Sequence, residues 1–127
     1  MNKADLKWRP LWQFMGVLII LAIAAFSLVD FGDGESSYII NKGQHLLAYA
    51  VLMGWYCQLY RRQTFYQLAL VAIGYGLAME IAQSFTDYRV FEFPDLIANT
   101  LGVILAWILC RFGADRILTG LEHLLRR

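Results

Sequence analysis

The chain predicts an all-α membrane fold: a four-transmembrane-helix bundle with N and C termini cytoplasmic and a short amphipathic C-terminal helix. Three observations carry this expectation. Of the 127 residues, 59% are hydrophobic, against roughly 45–50% in an ordinary soluble domain. The apolar residues fall in four long runs, and the first, residues 11–29, holds no charged side chain; crossing a bilayer takes roughly 20 such residues. The basic residues are segregated. Lys3, Lys7, Arg9, Arg61, Arg62, Arg111, Arg116, Arg126 and Arg127 fall on one side of such a bundle, and Lys42 and Arg89 on the other. Basic residues in short loops mark the cytoplasmic side. A net charge of +1 offers no global basic surplus for nucleic acid. Residues 1–127 read as a single transmembrane domain.

The elements follow in order. A basic leader precedes residues 11–29, but the run exceeds the roughly 7–15 residues of a signal-peptide core, and Val29-Asp30-Phe31 is no small-residue cleavage site; it reads as an uncleaved span. Residues 30–43, rich in Gly, Ser and Asp, connect it to a second span at about 44–60. Arg61-Arg62-Gln63 makes a tight basic turn into a third span at about 64–85. Residues 86–94 end in Pro94, which suits a helix start, and the fourth span runs over about 95–112. All are helices, because lipid leaves the backbone no partner but its own ladder, and the unbroken runs exclude a barrel. The tail, about 115–127, places Ile117, Leu121, Leu124 and Leu125 near one helical face and reads as an interfacial helix. Trp8, Trp12, Tyr60, Tyr66 and Trp107 suit interfacial belts. Cys57 and Cys110 lie near the reducing side and read as unpaired apolar packers.

Against this background several polar residues stand out. Glu80 and Gln83 lie one turn apart in the outer half of the third span. Asp95, Asn99, Gly102 and Ala106 share one face of the fourth. His45 opens the second span, with Lys42 one turn before it and Tyr49 one turn after. All three faces sit at the outer membrane level, and Arg89 in the short connector can fold back onto them. A charge at mid-membrane costs roughly 2.5–3.5 kcal/mol and is by default a functional hypothesis. Lys42, His45, Tyr49, Glu80, Gln83, Arg89, Asp95 and Asn99 therefore read as one outward-facing ligand-binding site, with His45, Glu80 and Asp95 the candidates for any catalysis. Each also has a structural reading: Asp95 a helix-terminal carboxylate, Asn99 interhelical glue, Gln83 an interfacial residue, Tyr49 packing, Lys42 and Arg89 solvated charges. The series Gly74, Ala78, Ala82 and Ala98, Gly102, Ala106 predict that the third and fourth helices touch through small residues.

The same residues carry a resemblance. The stretch from Lys42 through His45 to Tyr49 resembles the D-K-x-x-H-x-x-x-Y motif of the VanZ-like family, except that Asn41 stands where the family carries Asp. Glu80-Ile81-Ala82-Gln83 resembles its E-x-x-Q, and Arg89 with Asp95, Asn99 and Gly102 its R and D-x-x-x-N-x-x-G. The resemblance implies a multi-pass protein of the bacterial plasma membrane, related to a namesake linked to lowered sensitivity to the glycopeptide teicoplanin. It implies no established reaction.

Three functions are consistent with these residues. An outward pocket beside an apolar wall suits an amphipathic partner, a membrane lipid or a lipid-linked cell-wall precursor; transport by four short helices would need a homo-oligomer. A hydrolase or transferase acting on a lipid-linked phosphate would use His45 with Glu80 or Asp95. A structural or regulatory partner would use the polar residues to lock the bundle. No cofactor is called for, and the spacing of His45, Glu80 and Asp95 matches no recognised metal signature.

Overall fold

Long apolar runs leave the backbone to satisfy its own hydrogen bonds, and in the computed structural model of the chain these runs are helical. Residues 2–28, 38–87 and 91–126 are described. They form five α-helices: α1 (Arg9–Leu28), α2 (Tyr38–Leu59), α3 (Phe65–Ser84), α4 (Phe93–Arg111) and α5 (Ile117–Leu125). Single 3-10 turns lie at Lys3–Asp5, Arg62–Thr64 and Ala114–Arg116. No strand occurs among the described residues.

Three helices are long and apolar enough to cross a membrane: Arg9–Leu28, Arg62–Ser84 with its 3-10 lead-in, and Phe93–Arg111. The sequence predicts four such spans, and α2 is the one that composition does not support. At 22 residues it is about 33 Å long, but Asn41, Lys42, Gln44, His45 and Gln58 make both its ends polar. It also starts six residues earlier than predicted. The Gly and Ser signals end at Ser37, Tyr38-Ile39-Ile40 resumes an apolar run, and Gly43 is carried within the helix. Lys42 and His45 thereby stand one turn apart on a regular helix.

Between apolar helices in lipid, close backbone approach and polar bonds replace hydrophobic burial as the source of association. The most intimate contact is α2 against α4. It crosses at Gly102, where an added Cβ would lie 2.2 Å from the Leu46 carbonyl oxygen and 3.0 Å from the Ala50 nitrogen. Ala98 and Ala106 are buried on the same face. The α3–α4 contact that the sequence predicts is present, with Gly76 of α3 against Asn99 of α4, but the small-residue series of α4 makes its tight crossing with α2. The matching series of α3 is not an interface. Gly74 and Ala78 are exposed, and nothing lies within 4 Å of a Cβ built at Gly74. The buried face of α3 is Phe65, Ala69, Ala72, Gly76, Glu80 and Gln83.

Helix α1 buries little, only Gly16 and Ile23, and is held by side chains reaching its carbonyls at three levels. Trp55 Nε1 donates to Trp12 O at 2.9 Å, Tyr75 Oη to Ile20 O at 2.6 Å and Gln83 Nε2 to Ser27 O at 2.7 Å. The Tyr56 ring fills the space over Gly16. The outer faces of the helices carry Phe14, Leu21, Phe26, Val71 and Ile97, more than half exposed where Phe26 and Val71 reach 67% and 71%. Such a continuous apolar exterior needs an apolar solvent.

The two ends of the chain meet at one end of the bundle. Buried Asp115 accepts from Lys3 Nζ at 2.7 Å and from Arg62 through Nε and Nη2, each at 3.0 Å. The same ammonium donates to Cys57 O at 2.7 Å and Tyr60 O at 2.8 Å, satisfying carbonyls that the end of α2 leaves open. Glu122 of α5 is fully buried and accepts from Lys7 N at 2.7 Å, Trp8 N at 3.0 Å and Trp12 Nε1 at 2.7 Å. A carboxylate there satisfies free amides just ahead of α1, where the helix dipole favours negative charge. The outward-turned Ile117, Leu121, Leu124 and Leu125 are all exposed, so α5 presents its apolar face away from the bundle. Cys57 and Cys110 are free and buried nearby. Gly113 ends α4 at φ +120°, a conformation that disfavours any residue with a Cβ.

Candidate polar site between α2, α3 and α4

At the opposite end, three helices bring their polar side chains together because each carries them at one-turn spacing on the face that packs inward. Lys42 and His45 come from the first half of α2, with Tyr49 one turn deeper. Glu80 comes from the last turns of α3. Asp95 opens α4 directly behind Pro94, and Asn99 follows one turn later. Glu80 and Asn99 are each 1% exposed and Asp95 5%. Most of what the sequence singled out therefore shares one place.

The pairing is specific. Lys42 Nζ forms an ion pair with Asp95 Oδ1 and another with Glu92 Oε2 at 2.8 Å. His45 Nδ1 lies 3.1 Å from Asn99 Oδ1, while its Nε2 faces Asp95 Oδ2 at 3.6 Å. Gly76 makes room for this layer: a Cβ there would stand 3.2 Å from both Asn99 Nδ2 and the Tyr49 ring. Tyr49 packs against Tyr75 with ring centroids 6.2 Å apart. Two buried side-chain atoms among the described residues have no hydrogen-bond partner, Tyr49 Oη and Glu80 Oε2. Both belong to this cluster, although buried polar atoms are nearly always paired.

Two predicted members stand apart. Gln83 shares the buried face of α3 with Glu80, but its amide is spent on the Ser27 carbonyl of α1, so it fastens a helix. Arg89 lies outside the described residues. Glu92, which the sequence reading passed over, is a partner of Lys42. Its carboxyl is held below the usual range, chiefly by that ammonium. Its signal was a position immediately ahead of a Phe-Pro helix start.

An apolar groove of about 470 Å³ runs between α1, α2 and α3. It runs from Ile20 and Tyr75 past Tyr56 and Val71 to Tyr60 and Thr64, and the Tyr75 ring on its wall packs against Tyr49. A polar cluster linked through the Tyr49–Tyr75 contact to an apolar trough suits an amphipathic molecule. A separate cavity of about 660 Å³ lies at the termini end, lined by Lys3, Arg61, Arg62, Arg116 and His123 around Asp115. The sequence reading did not find it, nor the Asp115 and Glu122 pairs beside it. Acids next to basic loops look like ordinary surface charges when only Lys and Arg are used to assign sides.

Comparison with known proteins bears on this arrangement. A family model described as VanZ/LLP1 matches residues 6–114, from the segment ahead of α1 into the α4–α5 turn. An uncharacterized protein of the fission yeast Schizosaccharomyces pombe is 33% identical over 97 residues. That stretch is 72% of this chain and 58% of the yeast protein, so the chain spans little more than half the length of that relative. No solved structure matches the chain.

Proposed function

The chain belongs to the VanZ/LLP1 family, and from that premise we propose that it is a multi-pass plasma-membrane protein that binds the polar head of an amphipathic envelope lipid. In this reading α2 is the fourth span. Lys42, His45 and Gln58 turn into the bundle, while Ile40, Leu47 and Val51 face lipid with the exposed Gln44 near the helix start. Both termini are cytoplasmic, by the excess of Lys and Arg at that end, and the Lys42–His45–Glu80–Asp95 cluster opens outward.

The observation that carries the proposal is the convergence of five polar side chains from three helices in an otherwise apolar bundle, joined by the Tyr49–Tyr75 contact to an apolar groove. Lys42 and His45 are donors for a phosphate, in charge-assisted bonds. An entering phosphate exchanges with Asp95 or Glu92 on the Lys42 ammonium. The carboxylates and Asn99 receive hydroxyl or amine groups of the head, and the acyl or polyprenyl chain lies along the groove. A relative in a fission yeast favours a head group that membranes share over one confined to the bacterial wall. A lipid-linked cell-wall precursor, with lowered teicoplanin sensitivity as the consequence, is the narrower form of the same reading. Hydrolysis of the bound phosphate ester is the second reading, favoured by His45 standing between Asn99 and Asp95.

The test is native mass spectrometry of wild type, Glu80→Gln and His45→Ala purified in mild detergent. Wild type is expected to retain a phosphorylated lipid. Loss of a charge-assisted contact worth roughly 1.5–3 kcal/mol should cut retention about ten- to a hundred-fold in folded variants. Identical lipid profiles in all three proteins would overturn the proposal.

A further inference from the structure

We propose that His45, Glu80 and Asp95 hold a divalent transition-metal ion of the zinc class. Each offers one donor atom, and the three lie within 4.8 Å of one another. Around a four-coordinate ion with bonds of about 2.0–2.1 Å, donors stand about 3.4 Å apart. The three side chains close on an ion by roughly 1 Å, within the reach of a Glu rotamer adjustment. One imidazole and two carboxylates are donors that zinc accepts. Because one ligand comes from each of three helices, their spacing along the chain has no metal signature.

Three further details support an ion over a simple polar contact. The first is the tautomer of His45. Its Nδ1 faces the Asn99 carbonyl oxygen at 3.1 Å, and in the neutral tautomer that donates to this oxygen Nε2 keeps its lone pair. That lone pair faces Asp95 Oδ2, another acceptor, at 3.6 Å. Two acceptors aimed at each other are stabilised by a cation between them, and a ring N–H bonded to an amide oxygen is how metal-binding histidines are oriented. The second is the division of labour on Asp95: Lys42 engages Oδ1 and leaves Oδ2 for the ion. The third is Glu80 Oε2, buried and without a partner.

Charge is consistent with this. An ion binds such ligands only in their deprotonated forms; in that state the carboxylates of Glu80, Asp95 and Glu92 with neutral His45 and the Lys42 ammonium sum to two negative charges, which a divalent ion neutralises. In a low-dielectric interior that balance matters more than in water. Three protein ligands leave a coordination position open. On the head-group reading above, on which this last step rests, a phosphate oxygen takes it, and His45 then acts on the head through the ion instead of by a direct hydrogen bond.

The experiment equilibrates purified, metal-stripped protein with zinc sulfate, desalts it and measures metal by mass spectrometry. Wild type should hold about one zinc per chain, and Asp87→Asn, an exposed acid at the same end, should match it. His45→Ala, Glu80→Gln and Asp95→Asn should each fall roughly ten- to a hundred-fold in affinity or further. Cobalt loading gives a second readout: a visible absorption band in wild type, bleached by added zinc and absent from Glu80→Gln. Should a variant not fold, the zinc-induced rise in wild-type melting temperature and the cobalt band still decide. Less than about a tenth of an equivalent in wild type, or equal loading in every variant, overturns the site. Lipid retention is measured in parallel with chelator present. Lipid without metal refutes the ion and leaves the head-group reading standing; metal without lipid does the reverse.

Discussion

Asp115 shows what a single residue contributes to this fold. Burial alone would raise its carboxyl, but the bidentate Arg62 and the Lys3 ammonium hold it below the usual range. Glu122 is held low in the same way against its burial, by the Trp12 indole and the Trp8 and Lys7 amides. Asp115→Asn removes one partner of a buried pair and should cost about 3–5 kcal/mol, read as a lower unfolding midpoint in detergent. The sign of the pH dependence follows from the depressed values. The stabilisation is fully present above the ordinary carboxylate pKa of about 4 and is lost as pH falls through the lower folded values. Fluorescence of Trp12 and Trp55 should therefore be flat from neutral pH to about pH 5 and change only below about pH 4; a transition near pH 6 would contradict this assignment. Legibility differed sharply between the two polar clusters. His45, Glu80 and Asp95 were legible because a charged group inside an apolar run is costly and so demands a reason. Asp115 and Glu122 were not, because they lie in end segments where a charge costs nothing until tertiary contacts bury it.

Among elements, α2 and α4 approach each other most closely at one residue. At Gly102 an added methyl meets backbone, which cannot rotate away. Gly102→Ala should cost about 1–3 kcal/mol and Gly102→Leu more. Gly74→Ala, with nothing within 4 Å, should be neutral or stabilising by up to about 1 kcal/mol through helix propensity. Thermal unfolding of the three variants in one detergent checks both statements, and equal behaviour at the two glycines would refute the crossing. The helices themselves were legible from apolar run length, and Pro94 marked the start of α4 to within two residues. What sequence could not show was which small-residue stripe meets which helix: α3 and α4 each carry one, and only packing turns that of α4 toward α2 and that of α3 outward. The early start of α2 escaped notice because Gly43 reads as a loop residue and is tolerated within a helix whose neighbour is open space.

At the scale of the whole molecule, the apolar exterior, the three helices able to cross a membrane and the joined termini describe a bundle with two chemically different ends. One end is basic and tied by the Lys3–Asp115–Arg62 network; the other holds the histidine and carboxylate cluster. The orientation proposed here places Asp87 outside and Arg61 inside. Both native cysteines are buried, so Asp87→Cys and Arg61→Cys can be compared directly in intact cells. An impermeant maleimide should label the first and spare the second, and the opposite pattern would reverse the bundle. The central claim, that the cluster between α2, α3 and α4 receives a lipid head, is tested most directly by photo-crosslinking. A phospholipid carrying a diazirine in its head group is irradiated with the protein in nanodiscs, and adducts are mapped by peptide mass spectrometry. The account predicts adducts on residues 38–49 and 91–99. Adducts confined to the basic cavity around Lys3, Arg61 and Arg116 would contradict it and move lipid recognition to the other end of the molecule.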